Sequence, residues 1–165
     1  MISGPHVTER DTQPYVAIQA FVTMQDLGTV LPGLHPDVFG WLGARGIAPA
    51  GAPFWKYNVV DMERQLDVEV GVPVADPVPG DDRVLAGVLP AGRYATLAYT
   101  GHPDGLSGAT AALLEWAQAE GLTWDVTPAD DGDRWGARLE IYETDPAEQP
   151  DLNKWVTQLA FRLSG

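Results

Sequence analysis

The stretches FGWLGARGIAP (Phe39–Pro49) and LLEWAQAEGLTW (Leu113–Trp124) decide the fold, because the chain uses one design twice. Each is an amphipathic run closed by a glycine, Gly46 or Gly121, and resumed by an apolar residue, Ile47 or Leu122. That pattern marks a helix terminated by its glycine. After each comes a strand with one carboxylate between two aliphatics. LDVEVGV (Leu66–Val72) carries Glu69, and ARLEIYE (Ala137–Glu143) carries Glu140. A glutamate among strand aliphatics is costly unless it faces a wet or functional surface. Two of them at matching places in a repeat predict a shared cleft along a pseudo-twofold axis.

Outward from these runs, the elements follow in order. Tyr15–Met24, rich in β-branched and aromatic residues, reads as the first strand, and everything up to about Arg10 as a frayed leader. Leu27–Gly46 is mostly helical, regular from about Pro36, with Asp37 favourable at its start. Phe54–Val60 and Leu66–Pro73 form a hairpin. DPVPGDDR (Asp76–Arg83) joins two halves, about 14–75 and 84–163, inside one domain spanning 1–165. In the second half, strands are expected at Val84–Leu89 and Tyr94–Thr100. A helix follows from an N-cap at Ser107 to Glu120, and then strands from Trp124, over Trp135–Tyr142 and over Trp155–Leu163. The unit strand–helix–strand–strand, used twice, predicts an α+β fold: an antiparallel sheet with helices on one face and a ligand groove on the other.

Composition narrows the function. Ten basic against 23 acidic residues in 165 give a net charge of −13, a field that opposes nucleic acid and anionic membrane and draws cations. With no cysteine there is no thiol nucleophile and no thiolate metal site. The start, MISGPHVTER, lacks the apolar core of a signal peptide, and no apolar stretch has membrane-spanning length. A soluble, cytoplasmic protein is the expectation.

Strand alternation sorts the side chains that could carry chemistry. Leu139 and Ile141 are expected under the helices, so that the helix-free face collects Glu140, Tyr142, Tyr57, Trp55, Glu69 and Tyr99. Trp41 and His102 are added as ligand contacts. Aromatic rings around a carboxylate suit a flat, lipophilic cation: the rings stack on it and the acid neutralises it in a low-dielectric pocket. The same rings could equally fill a core. His6, His35 and His102 have no metal-ligand spacing, so neither metal nor other cofactor is expected. Ser107 has no nucleophile elbow, Gly101 to Gly105 is followed by no phosphate-binding lysine, and Asp130, Asp131 and Asp133 lack the rest of a calcium loop.

GAPFWKYN (Gly51–Asn58), LDVEVGVPV (Leu66–Val74), LPAGRYATLAYTGHPDGL (Leu89–Leu106), LLEWAQAEG (Leu113–Gly121) and LEIYETDPAEQPD (Leu139–Asp151), in that order, resemble the GyrI-like small-molecule-binding family, also called the AraC/BmrR effector-binding domain family. The resemblance runs from about Pro14 to Leu163 and implies a tandem SHS2 fold. It implies binding of lipophilic, often cationic, multi-ring compounds in a groove with an acidic strand residue and several aromatics. Glu140 and Tyr142 match the family's Glu-x-Tyr strand, Tyr57 the tyrosine after Pro-Phe, and Glu69 precedes its Gly-x-Pro-Val motif. The chain departs at Gly101-His102-Pro103, where Gly-Pro-Tyr is usual, and at Trp55, where a smaller residue is usual.

Two readings of function fit these residues. In one, the module binds a hydrophobic or cationic aromatic small molecule for sensing, sequestration or resistance. In the other, resembling a branch of the family, it hydrolyses the cyclopropane ring of DNA-alkylating natural products, with Glu140 as general base and Tyr142 as hydrogen-bond donor. Direct nucleic-acid binding is not expected, since no helix-turn-helix segment is present. A protein partner drawn to the acidic surface is a minor alternative.

Overall fold

The structure, a computed structural model, describes residues 1–164. Ten strands form one antiparallel sheet: β1 (His6–Arg10), β2 (Gln13–Val22), β3 (Phe54–Val60), β4 (Leu66–Pro73), β5 (Leu85–Leu89), β6 (Gly92–Thr100), β7 (Val126–Ala129), β8 (Gly132–Trp135), β9 (Arg138–Tyr142) and β10 (Val156–Arg162). Their order is β1-β6-β10-β9-β3-β4-β2-β5, and the β7–β8 hairpin attaches to β3. The helices are α1 (Leu27–Val30), α2 (Leu34–Ala44) and α3 (Leu106–Ala119); a 3-10 turn, Leu31–Gly33, joins the first two.

The pseudo-twofold axis passes between β3 and β9, where Trp55 lies opposite Glu140. Register then fixes the equivalences. Tyr57 opposite Val68 corresponds to Tyr142 opposite Thr157, and Phe54 opposite Gly71 corresponds to Leu139 opposite Ala160. The partner of β4 in the repeat is therefore β10, and that of β3 is β9. Glu69, opposite Lys56, corresponds to Gln158, opposite Ile141. The sequence match of Glu69 with Glu140 is corrected: the two carboxylates are not equivalent.

The segment expected to be a frayed leader contains β1, which pairs with β6 from His6↔Thr96 to Arg10↔Gly92. The equivalent β5 pairs with β2. Each half thus gives the strand that precedes its own first long strand to the edge of the other half. HVTER carries no apolar alternation, so only this distant partner makes it a strand.

Helix ends follow the sequence rule. Gly46 and Gly121 adopt φ of 67° and 71°. Ile47 N–H donates to the Leu42 carbonyl at 3.0 Å, and Leu122 N–H to that of Ala117 at 2.9 Å, the same closing motif in both halves. Ser107 is not an N-cap: α3 begins at Leu106 with Gly105 as its cap residue, and His102 caps the preceding 3-10 turn by accepting from the Asp104 N–H at 3.1 Å.

The sheet is buried on both faces. Under α2 lie Val16, Ile18, Val72 and Val74 with Val38 and Leu42 of the helix. Ala95, Leu97, Leu159 and Phe161 lie under α3 with Ala109 and Leu113. On the helix-free face Tyr15, Ala17, Phe54, Leu89, Tyr94 and Leu139 form their own cluster. No helix is long and apolar enough to cross a membrane among the described residues.

Candidate functional site

The expected acid–aromatic set divides between the two faces. Trp55, Tyr57 and Tyr142 pack with Leu31 and Leu34 of the α1–α2 segment, so they stand on the helix-covered face, and Glu140 shares their parity on β9. Leu139 and Ile141 pack on the helix-free face instead. The placement expected from sequence is thus reversed for β9 and for Trp55 and Tyr57 of β3. The reason is physical: with apolar cover on both faces, alternation orders the side chains of these strands without saying which set meets the helices.

At the dyad Glu140 meets two phenols. Tyr142 Oη donates to its Oε1 at 2.6 Å, and the equivalent Tyr57 is the second phenol beside the same carboxylate. Glu140 keeps some solvent contact. Burial nevertheless raises its pKa above the ordinary carboxyl value, against the opposing pull of both tyrosines and of Arg138. The two phenols are pushed well above 10 by burial first and by the neighbouring carboxylate second. The arrangement is an acid that changes charge easily, held by neutral donors.

Trp55 stands across the strand pair from Glu140 and is 8% exposed. Its ring is edge-on to Tyr142, centroids 5.1 Å apart. Sequence reasoning passed over His35, which belongs to this group. Its ring stacks on Trp55 at 6.1 Å and meets Tyr142 edge-on at 5.8 Å. Trp55 Nε1 donates to His35 Nε2 at 2.8 Å, which leaves the imidazole proton on Nδ1, where it is buried without a partner among the described residues. Burial lowers the His35 pKa, so the ring is held neutral. Only the fold brings His35 here; its own neighbours in sequence carry no signal.

Arg138 was also missed, although it shares the parity of Glu140 and Tyr142. It is 8% exposed, and its Nε has no hydrogen-bond partner among the described residues. Its guanidinium lies 4.7 Å from the Phe161 ring centroid, 4.9 Å from Trp135 and 5.7 Å from Tyr57. A resident cation in an aromatic cage thus sits beside the acid and shares its charge.

The other expected residues lie elsewhere. Glu69 is on the helix-free face, 6% exposed, and is the centre of a closed network described below. Tyr99 lies on the helix side in one row with Tyr142, with Thr157 between them, and its hydroxyl donates to the His102 carbonyl at 2.8 Å. His102 is a capping residue in the loop after β6. Trp41 faces the joint between halves: its Nε1 donates to Asp81 Oδ2 at 2.7 Å, and Arg45 stacks on its ring at 3.8 Å.

The model of the GyrI-like small-molecule-binding domain matches residues 5–164, and the chain belongs to this family. Among solved structures it is similar to the C-terminal domain of EcmrR, with a TM-score of 0.74 at 17% identity, covering 98% of this chain and 97% of that one. The match to EcmrR in its complex with DNA has a TM-score of 0.75 at 18% identity over 98% of this chain, which spans only 57% of the EcmrR chain. SAV2435 bound to tetraphenylphosphonium gives 0.64 at 9% identity, covering 99% and 95% of the two chains. A hydrolase from Listeria innocua gives 0.63 at 13%, covering 97% and 91%. At such identities the likeness is one of fold. No curated protein matches the chain.

Proposed function

We propose that this domain binds a lipophilic, multi-ring small molecule carrying positive charge, with Glu140 as its counter-ion and Trp55, Tyr57 and Tyr142 as its walls. The reading places the domain in the cytoplasm, as a sensing or sequestering module that contacts neither nucleic acid nor membrane itself. The observation that carries it is the half-buried Glu140 carboxylate held by the Tyr142 hydroxyl beside the equivalent Tyr57, with an indole across the strand pair. An aromatic cation entering there replaces buried phenol contacts with ring stacking and gives the acid a full charge partner. The tetraphenylphosphonium complex of a structural neighbour is consistent with this chemistry. The rings and His35 lie under the α1–α2 segment, so a ligand has to displace part of that cover. α1 is a single short turn with no buried side chain and no side-chain cap, which makes it the least costly part to move.

Titration of tetraphenylphosphonium against its uncharged relative triphenylphosphine oxide tests the reading. Glu140→Gln keeps the shape and removes the charge. It should weaken the cation at least about tenfold, the scale of a charge-assisted contact, and the oxide little. Equal loss for both compounds would sink the counter-ion role.

A second reading rests on the raised pKa of Glu140 and is in keeping with the hydrolase among the neighbours. Here Glu140 takes a proton from water while the oxygen attacks a cyclopropane carbon. The broken C–C bond's electrons end on a phenolate that Tyr142 or Tyr57 stabilises by hydrogen bonding, and the proton then returns from Glu140. A product heavier by one water, formed over many turnovers and lost in Glu140→Gln, distinguishes this reading from binding.

A further inference from the structure

The helix-free side of the sheet holds a cleft that the acid–aromatic site does not use. Its volume is about 350 Å3, within the size of small-molecule sites. Phe54, Leu139 and Ile141 form its apolar lining with Leu89 and Tyr94, all on the face opposite Trp55, Glu140 and Tyr142. Both links between β1 and β2 and between β5 and β6 contribute to it, so it lies where the exchanged edge strands cross from one half to the other.

Arg10 supplies the polar feature. Its Nη2 donates to Gln158 Oε1 at 2.9 Å, and its guanidinium lies 5.7 Å from the Tyr94 ring centroid. Its Nε is buried with no acceptor among the described residues. An arginine N–H taken from water and left unmatched is unfavourable, and a ligand oxygen would remove that cost. The cleft also contains Asp11 and Glu143. An anion would meet these carboxylates and a cation would meet Arg10, whereas an uncharged acceptor meets neither penalty.

We propose that this cleft is a second small-molecule site, taking an uncharged compound with an aromatic body and one carbonyl-type oxygen directed at Arg10 Nε. It is separated from the Glu140 site by the thickness of the sheet, so the two can be occupied together.

Benzophenone and diphenylmethane test this, since they share two rings and differ in the carbonyl. On irradiation the benzophenone oxygen abstracts a side-chain hydrogen and the two radicals join as a C–C bond, which marks the site for fragment-level mass mapping. The expected adducts fall on Leu89, Leu139 or Ile141, and excess tetraphenylphosphonium does not suppress them. Benzophenone should bind about tenfold more tightly than diphenylmethane, the scale of one hydrogen bond to a charged donor. Arg10→Met should erase that difference, and Glu140→Gln should leave it. Ala52→Phe, which fills the cleft from its lining, should abolish both probes; it decides the matter if Arg10→Met fails to fold. Adducts confined to Trp55, Tyr57 or Tyr142, equal affinity for the two probes, or no adduct in the cleft would each overturn the proposal.

Discussion

Glu69 and Glu140 are both strand glutamates between aliphatics, yet the fold treats them oppositely. Glu69 is closed off: Oε1 accepts from Tyr15 Oη at 2.5 Å, Oε2 accepts from Asn58 Nδ2 at 2.5 Å, and Lys56 Nζ stands 3.4 Å away. Lys56 also donates to the Asn58 side-chain oxygen, so the network completes itself. Tyr15 in turn is held protonated by burial and by the adjacent Glu69 charge. Among the described residues Glu140 accepts one hydrogen bond, from Tyr142, and has beside it a second phenol, Tyr57, and an arginine that makes no hydrogen bond to it. A carboxylate with fixed cationic and amide donors holds structure together. One held by phenols, with its pKa raised, can exchange partners. The donors around a buried acid, rather than its strand pattern, decide whether it is structural or functional.

The same substitution at both glutamates should have unequal effects. Glu69→Gln puts an amide donor among Asn58 and Lys56 donors and removes the ion pair. It should cost about 3 kcal/mol, in the range for breaking a buried pair. Glu140→Gln should cost less than about 1 kcal/mol, because a phenol can turn its hydroxyl and accept. Urea unfolding at neutral pH measures both, and equal costs would erase the distinction.

Removing the resident cation sharpens it next. Arg138 and Glu140 are two residues apart on one strand face, roughly 7 Å. Charges at that distance interact by about 2 kcal/mol near a protein surface. Arg138→Met should therefore raise affinity for tetraphenylphosphonium, by about tenfold once side-chain relaxation is allowed for. Calorimetric titration reads this directly, and an unchanged affinity would show that Arg138 already points away from the ligand.

The pH dependence carries a definite sign. The folded pKa of Glu140 lies above the usual carboxyl value, so its contribution to stability is complete below about 4.5, the unfolded value, and is lost as pH rises through the raised folded one. Wild type should lose stability relative to Glu140→Gln across that window, while its affinity for a cation rises. Parallel urea midpoints and cation titrations from pH 4 upward follow both. The smallest effect is expected at the helix ends: Gly46→Ala and Gly121→Ala each force an alanine into a left-handed conformation and should cost about 1 kcal/mol. Matching losses would support the equivalence of the two halves.

What the sequence made legible was local. The glycine-closed helices, the hairpin of β3 and β4, the α+β class and the acid–tyrosine strand all follow from spacing within a few residues. What it hid was set by distant partners. β9 meets apolar cover on both faces, so its alternation fits either one, and Glu140 is expected from sequence opposite its true cover. The likeness of LDVEVGV to ARLEIYE aligned β4 with β9, whereas pairing aligns β4 with β10. His35 joins Trp55 only because α2 crosses above it. Arg138 alone left a readable trace, a charge two residues before Glu140 on the same strand face.

The exchanged edge strands bear on how the chain is made. Thr8 finds its partner Tyr94 only after β2 to β5 and both helices between them have been synthesised. At roughly 5–20 residues per second, the first strand emerges on the order of ten seconds before the edge it completes. An apolar strand waiting that long would invite pairing with neighbouring chains. HVTER, with its histidine, glutamate and arginine, does not. The polarity that made this segment read as a loose leader is what lets it wait safely on the ribosome.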